Sequence, residues 1–187
     1  MPVEALTDHP ARRLSADPLD FLLFEHEKHR EMCVALDALA EADAFNDQLV
    51  LQLAEFIRVD LTFHVTDEED VLFPLLQQCC EPSDDIERAL ARLHGEHQAD
   101  LDLSARVRVY LLQAVEESRA PSQIPGAREA LHAFAQSQRR HMMFENAILI
   151  PLARRRFSPQ DIEALSRRLA ARRALPHSSV RLQEDLG

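Results

Sequence analysis

The chain has 187 residues, a formal net charge of -11 and a pI of about 5.2. Three Gly, one Tyr and no Trp leave little for a glycine-rich phosphate loop or an aromatic binding platform, and an acidic chain repels a phosphate backbone, which excludes nucleic acid as a partner. The longest apolar runs, VLFPLL and AILIPLA, fall far short of the ~20 residues a membrane span needs, so no membrane association is expected.

Residues 1–16, with two Pro and mixed charges, read as an N-terminal arm. Asp17-Pro18 opens the first helix, a good cap followed by Pro at the first helical position, and the pattern runs to about Ala42. Asn46 or Asp47 caps a second helix reaching about Cys80, with a kink or restart expected at Pro74. Ser83, Asp84 and Asp85 start a third, ending near Arg119 before Ala120-Pro121. The fourth runs from about Gly126 to Phe157. Ser158-Pro159-Gln160-Asp161 then opens a shorter fifth helix to about Ala174, and 176–187 read as a flexible tail. Four long helices with short connections predict an all-α fold, an antiparallel up-down-up-down four-helix bundle over 17–157, with a C-terminal fifth helix in 158–175.

An internal repeat carries the chemistry. His64 to Pro74 (HVTDEEDVLFP) and His141 to Pro151 (HMMFENAILIP) share His-x-x-x-Glu, an apolar triplet and a Pro at the same offset. Nine His and 17 Glu give about 0.8 His-x-x-x-Glu pairs by accident, so the two pairs alone are weak. A Pro ten residues after both His, at odds of about 0.003, is far more specific. Each segment is also preceded by a matched Glu-His pair, Glu25-His26 and Glu96-His97. The sequence thus reads as two copies of a helical hairpin, each with a single His on one helix and His-x-x-x-Glu on the next.

At i and i+4 two side chains share one helix face, about 6 Å apart along the axis. His64 with Glu68, and His141 with Glu145, therefore grip one site from two helices, while His26 and His97 add single imidazoles. Four His and two Glu in a bundle core suit two non-haem iron ions with a bridging oxo or hydroxo group. Of roughly twelve positions on two octahedral ions, four His, two bridging Glu and one bridging oxygen fill about ten. About two remain for a small ligand. His29 and His94, each three residues from an aligned His, are alternative ligands. Glu69 points about 100° away from Glu68 and reads as solvated or as support for a ligand. His132 reads as surface, with His9 and His177 in the terminal segments.

On Glu25-His26, His64-x-x-x-Glu68 with Phe73-Pro74, Glu96-His97, and His141-x-x-x-Glu145 with Ile150-Pro151, the chain resembles the hemerythrin-like family of HHE cation-binding domains over about Asp17 to Phe157. The resemblance implies a four-helix bundle around a non-haem di-iron centre, with His26, His64, Glu68, His97, His141 and Glu145 as metal ligands. Oxygen-carrying hemerythrins typically use a fifth His and an Asp in the last motif. Glu145 stands there instead, which resembles the branch of sensors and iron-centre repair proteins, although the short arm lacks the latter's extra Cys-bearing domain. His-x-x-x-Glu also differs from the Glu-x-x-His of ferritin-like di-iron proteins.

The resulting expectation is a binding protein for O2, or a related ligand such as NO, used in sensing, storage or scavenging. Two alternatives stand beside it: a di-iron enzyme of iron-centre repair, NO reduction or peroxide turnover, and a simple iron-buffering bundle. A redox partner protein is possible. The N-terminus has no apolar leader and the three Cys are too few for a disulfide framework, so a cytoplasmic location is expected. Cys33 reads as a small core hydrophobe, Cys79 and Cys80 as reduced bystanders, and the Arg-rich stretch from Arg154 to Arg181 as helix-end charges on solvated faces.

Overall fold

The computed structural model describes residues 17–173, and all regular structure among them is helical. The expected arm 1–16 and tail 176–187 lie outside the described residues, as do His9, His177 and Arg181. Asp17 caps α1 (Pro18–Glu41), its carboxylate accepting the N–H of Leu19 at 2.8 Å and of Asp20 at 3.4 Å. Asn46 caps α2 (Asp47–Arg58) by accepting the Leu49 N–H at 3.1 Å. Val59 interrupts the regular pattern before α3 (Asp60–Asp67), a break the sequence did not signal. Glu68–Leu72 then forms a π-helical turn that leads into α4 (Phe73–Cys79).

Glu81 and Asp84 form a reciprocal cap around a short 3-10 turn, so α5 (Ile86–Glu116) begins slightly later than Ser83. Gly126, at φ 83, supplies the left-handed residue before α6 (Ala127–Phe144). A second π turn, Glu145–Leu149, precedes α7 (Ile150–Arg156). Ser158 and Asp161 cap each other's backbone N–H at the start of α8 (Pro159–Arg173), at 2.8 and 3.3 Å.

The two π turns explain the repeated Pro. Proline has no N–H to donate, and in a regular helix its ring meets the carbonyl four residues back. Here the N–H of Phe73 reaches five residues back to Glu68, and that of Ile150 to Glu145. The wider turn lets Pro74 and Pro151 follow without breaking the rod. The kink or restart expected at Pro74 is therefore a π turn, and the fourth rod contains a matching one before Pro151. The extra residue also rephases the helix by about 100°, so Glu68 faces the site while Val71, Leu72, Leu75 and Leu76 turn into the core.

Two apolar clusters fill the bundle. One gathers Met32 to Ala40, α2, the second half of α5 and most of α6. The other gathers Leu19 to Leu22, Val71 to Leu76, Ile86 to Leu93, Leu149 to Ala153, and Leu165 and Leu169 of α8. On every rod the predicted metal-ligating His falls between residues of the two clusters. The polar site is thus a layer enclosed by apolar packing at both ends. α1 packs chiefly along α6, and α2 along α5.

α8 belongs to this body, since Leu165 and Leu169 are fully buried. The Arg-rich segment carries helix-end charges as expected, with Arg154, Arg155, Arg167 and Arg168 exposed, but five of its side chains are also ion-paired. Arg154 pairs with Asp17 and Asp20, Arg155 and Arg156 with Asp84, and Arg172 and Arg173 with Asp67. Cys33, Cys79 and Cys80 are free thiols.

Candidate metal centre

The six sequence-predicted residues converge. His26, His64, Glu68, His97, His141 and Glu145 are all buried, none more than 4% exposed. The Nε2 atoms of His26 and His64 lie 3.1 Å apart, and those of His97 and His141 2.9 Å apart. Two nitrogens about 2.1 Å from one cation, at a right angle, would be about 3.0 Å apart. Both pairs have that spacing.

The carboxylates lie between the pairs. Glu68 places Oε1 3.2 Å from His64 Nε2 and 3.7 Å from His26 Nε2, and Oε2 3.4 Å from His97 Nε2. Glu145 places Oε1 3.1 Å from His141 Nε2 and Oε2 3.3 Å from His26 Nε2. Each carboxylate therefore offers one oxygen to each imidazole pair. Two four-residue groups result, His26-His64-Glu68-Glu145 and Glu68-His97-His141-Glu145, each with ligand atoms within 4.8 Å of one another.

The other ring nitrogens fix the rings. His64 Nδ1 donates to Glu25 at 3.2 Å, and His141 Nδ1 to Glu96 at 3.0 Å. His97 Nδ1 donates to Glu69 at 2.6 Å, and His26 Nδ1 to the Asn146 Oδ1 at 2.6 Å. The pattern obeys the repeat. The Glu preceding each single His orients the second His of its own half, and the residue after each bridging Glu orients the single His of the opposite half. A carboxylate partner places the proton on Nδ1, which leaves Nε2 as a lone pair directed inward.

That arrangement asks for a cation. Four Nε2 lone pairs would face one another and two carboxylates, while Glu68 Oε2 and both Glu145 oxygens have no hydrogen-bond partner. Buried acceptors without donors are costly. Without a metal, protons take the role. Burial opposes charge on His64, but Glu68 and Glu25 outweigh it and hold its pKa well above the usual value. Burial is likewise outweighed at His141, which Glu145 and Glu96 help push up to about 9. Burial would raise Glu68, yet His64 and the other imidazoles hold it well below the usual carboxylate range. The donor set, imidazole with carboxylate, suits a transition-metal ion such as iron.

His29 and His94 are not in either group. His29 is buried with Nδ1 unpartnered, its ring edge-on to His64 at 4.5 Å, and burial together with the neighbouring imidazoles holds its pKa well below the usual value. His94 is largely exposed and bonded to Glu69 at 3.1 Å. His132, as expected, lies at the surface, between Asp37 and Glu41. Beside the centre a cavity of about 240 Å³ opens between α3, α5 and α6, lined by Leu61, Val65, Leu101, Met142 and His29.

Against known families, residues 17–153 match the Hemerythrin HHE cation binding domain. The chain belongs to this family. Within it, the His-Glu groups of this HHE chain are the residues that could hold the cation. A search of curated proteins finds no match. No described helix of this HHE protein is long and apolar enough to cross a membrane.

The orienting residues were legible only in part. Glu25 and Glu96 served as markers of the repeat, and their bonds across to His64 and His141 came with the packing. Asn146 was missed, although its register beside Glu145 mirrors Glu69 beside Glu68.

Proposed function

We propose that this chain is a non-haem di-iron protein that binds O2, or a related small ligand such as NO, for sensing, storage or scavenging. His26, His64, Glu68 and Glu145 would hold one ion, and Glu68, His97, His141 and Glu145 the other. The observation that carries the reading is that each buried carboxylate turns one oxygen to each imidazole pair. When bound, a ferrous pair supplies two one-electron donors and open coordination positions.

The chain's own residues do the rest. Glu25, Glu69, Glu96 and Asn146 hold the four rings so that a ligand need not reorganise them. Leu61, Val65 and Met142 supply apolar surface to the approach, which Glu69, Asp70 and Asp100 also border, and its volume suits a small ligand. The two apolar clusters seal the layer at its ends. The order in which successive rods meet those clusters supports the up-down-up-down arrangement, and three free thiols support a cytoplasmic setting.

The test is anaerobic loading with Fe(II), followed by O2 or NO with absorbance monitored. A saturable spectral change that reverses on purging is the expected result. Sustained turnover of NO or peroxide would replace this reading with the enzymatic one. Release of iron without any ligand-dependent change would leave an iron buffer.

A further inference from the structure

The repeat shows what the first half lacks. In the second half a guanidinium backs the ring-orienting carboxylate. Arg92, one turn before Glu96 on α5, lies 2.8 Å from Glu96 Oε1, while Glu96 Oε2 accepts from His141. The Arg92 guanidinium rests on the Phe144 ring at 4.1 Å. At the register of Arg92 the first half carries Phe21, and at the register of Phe144 it carries Asp67. The first half therefore has a ring where the second has its cation, and a buried carboxylate where the second has its ring.

α8 fills that gap. Arg173 Nη2 lies 2.7 Å from Glu25 Oε1, while Glu25 Oε2 accepts from His64. The same guanidinium binds Asp67 through Nη1 and rests on the Phe21 ring at 4.4 Å. Arg172 Nε lies 2.8 Å from the other oxygen of Asp67. Arg173 is 17% exposed, against 49% for Arg92, so its pairing is the better shielded from water. α8 is held in place independently by Leu165, Leu169 and the Ser158–Asp161 cap. The family match ends at residue 153, so Arg173 lies beyond the shared domain.

We infer that Arg173 is a positioning residue of the metal centre: from α8 it completes, through Glu25 and His64, the Arg–Glu–His chain that Arg92 completes within α5. This rests on the metal-pair reading above. With Arg173 on one oxygen, Glu25 is fixed with the other on His64 Nδ1, and the ring keeps Nε2 directed at Glu68. Partners bonded directly to a ligating imidazole, as Glu25 is to His64, tune metal affinity by about ten- to a hundredfold, and Arg173, which acts through Glu25, falls at the lower end of that range.

The experiment is Co(II) affinity by chelator competition in the full chain, for wild type, Arg173→Gln, Glu25→Gln, Glu96→Gln and the double variants. Arg173→Gln should weaken binding by about tenfold. That loss should vanish in the Glu25→Gln background and persist in the Glu96→Gln background, whereas Arg92→Gln should show the reverse dependence. A general loosening of the fold would weaken binding equally in both backgrounds and would overturn the inference. Unchanged affinity in Arg173→Gln, with wild type still binding two ions, overturns the inference alone. A wild type that binds no Co(II) overturns it together with the metal-pair reading. Should Arg173→Gln fail to fold, Arg173→Lys, which keeps the charge but loses the two-armed fork, is carried through the same cycle.

Discussion

Glu68→Ala is expected to lose both metal equivalents together, with affinity falling by more than about a hundredfold. Removing a partner one step further out already costs ten- to a hundredfold. Glu68 is no ordinary single ligand, because Oε1 serves the His26–His64 pair and Oε2 approaches His97. Glu145→Ala should behave the same way, since its oxygens divide between His141 and His26. His94→Ala, at an exposed position outside both groups, should leave the metal content unchanged. Elemental analysis after loading and desalting checks all three. A Glu68→Ala protein that still holds two ions would show that the carboxylate does not bridge.

Stripping the metal should lower the melting temperature by roughly 10 °C or more. A ligand bound only by the native state stabilises it by mass action, about 4 kcal/mol at a thousandfold excess over the dissociation constant. For a chain of this size each kcal/mol moves the midpoint by about 2–4 °C. The structural reason is local. The three buried carboxylate oxygens without partners gain coordination, and the facing imidazoles are no longer set against one another. Thermal melts with and without chelator measure the shift. An unchanged midpoint would mean that the six side chains hold no cation in the native state.

Most of the fold and the six side chains that converge could be read from local pattern. Asp17, Asn46 and the Ser158–Asp161 pair cap helices where their spacing places them. The duplicated His-x-x-x-Glu with its Pro located the site because i, i+4 geometry is a property of the helix itself. What could not be read depends on contacts distant in sequence or on competing local terms. Pro74 signals a lost donor, but whether the rod kinks or widens depends on what its face must pack against. Here both copies widen into a π turn. His26 is preferred to His29 in the sequence because Glu25-His26 aligns with Glu96-His97, and the packing brings His26, not His29, into a four-residue group. The Arg-rich end resembled solvated charge because its acidic partners, Asp17, Asp84, Asp67 and Glu25, are scattered over the preceding chain. Comparing the two halves residue by residue, Phe21 with Arg92 and Asp67 with Phe144, could have revealed a missing cation, though not which helix supplies it.

The central claim is that two imidazole pairs and two shared carboxylates form one site for two ions. Its most direct test is the iron content per chain of the wild-type protein after anaerobic Fe(II) loading and desalting. About two irons per chain is the predicted result. None or one would contradict it, and would mean that the buried cluster is closed by protons and packing rather than by a metal pair.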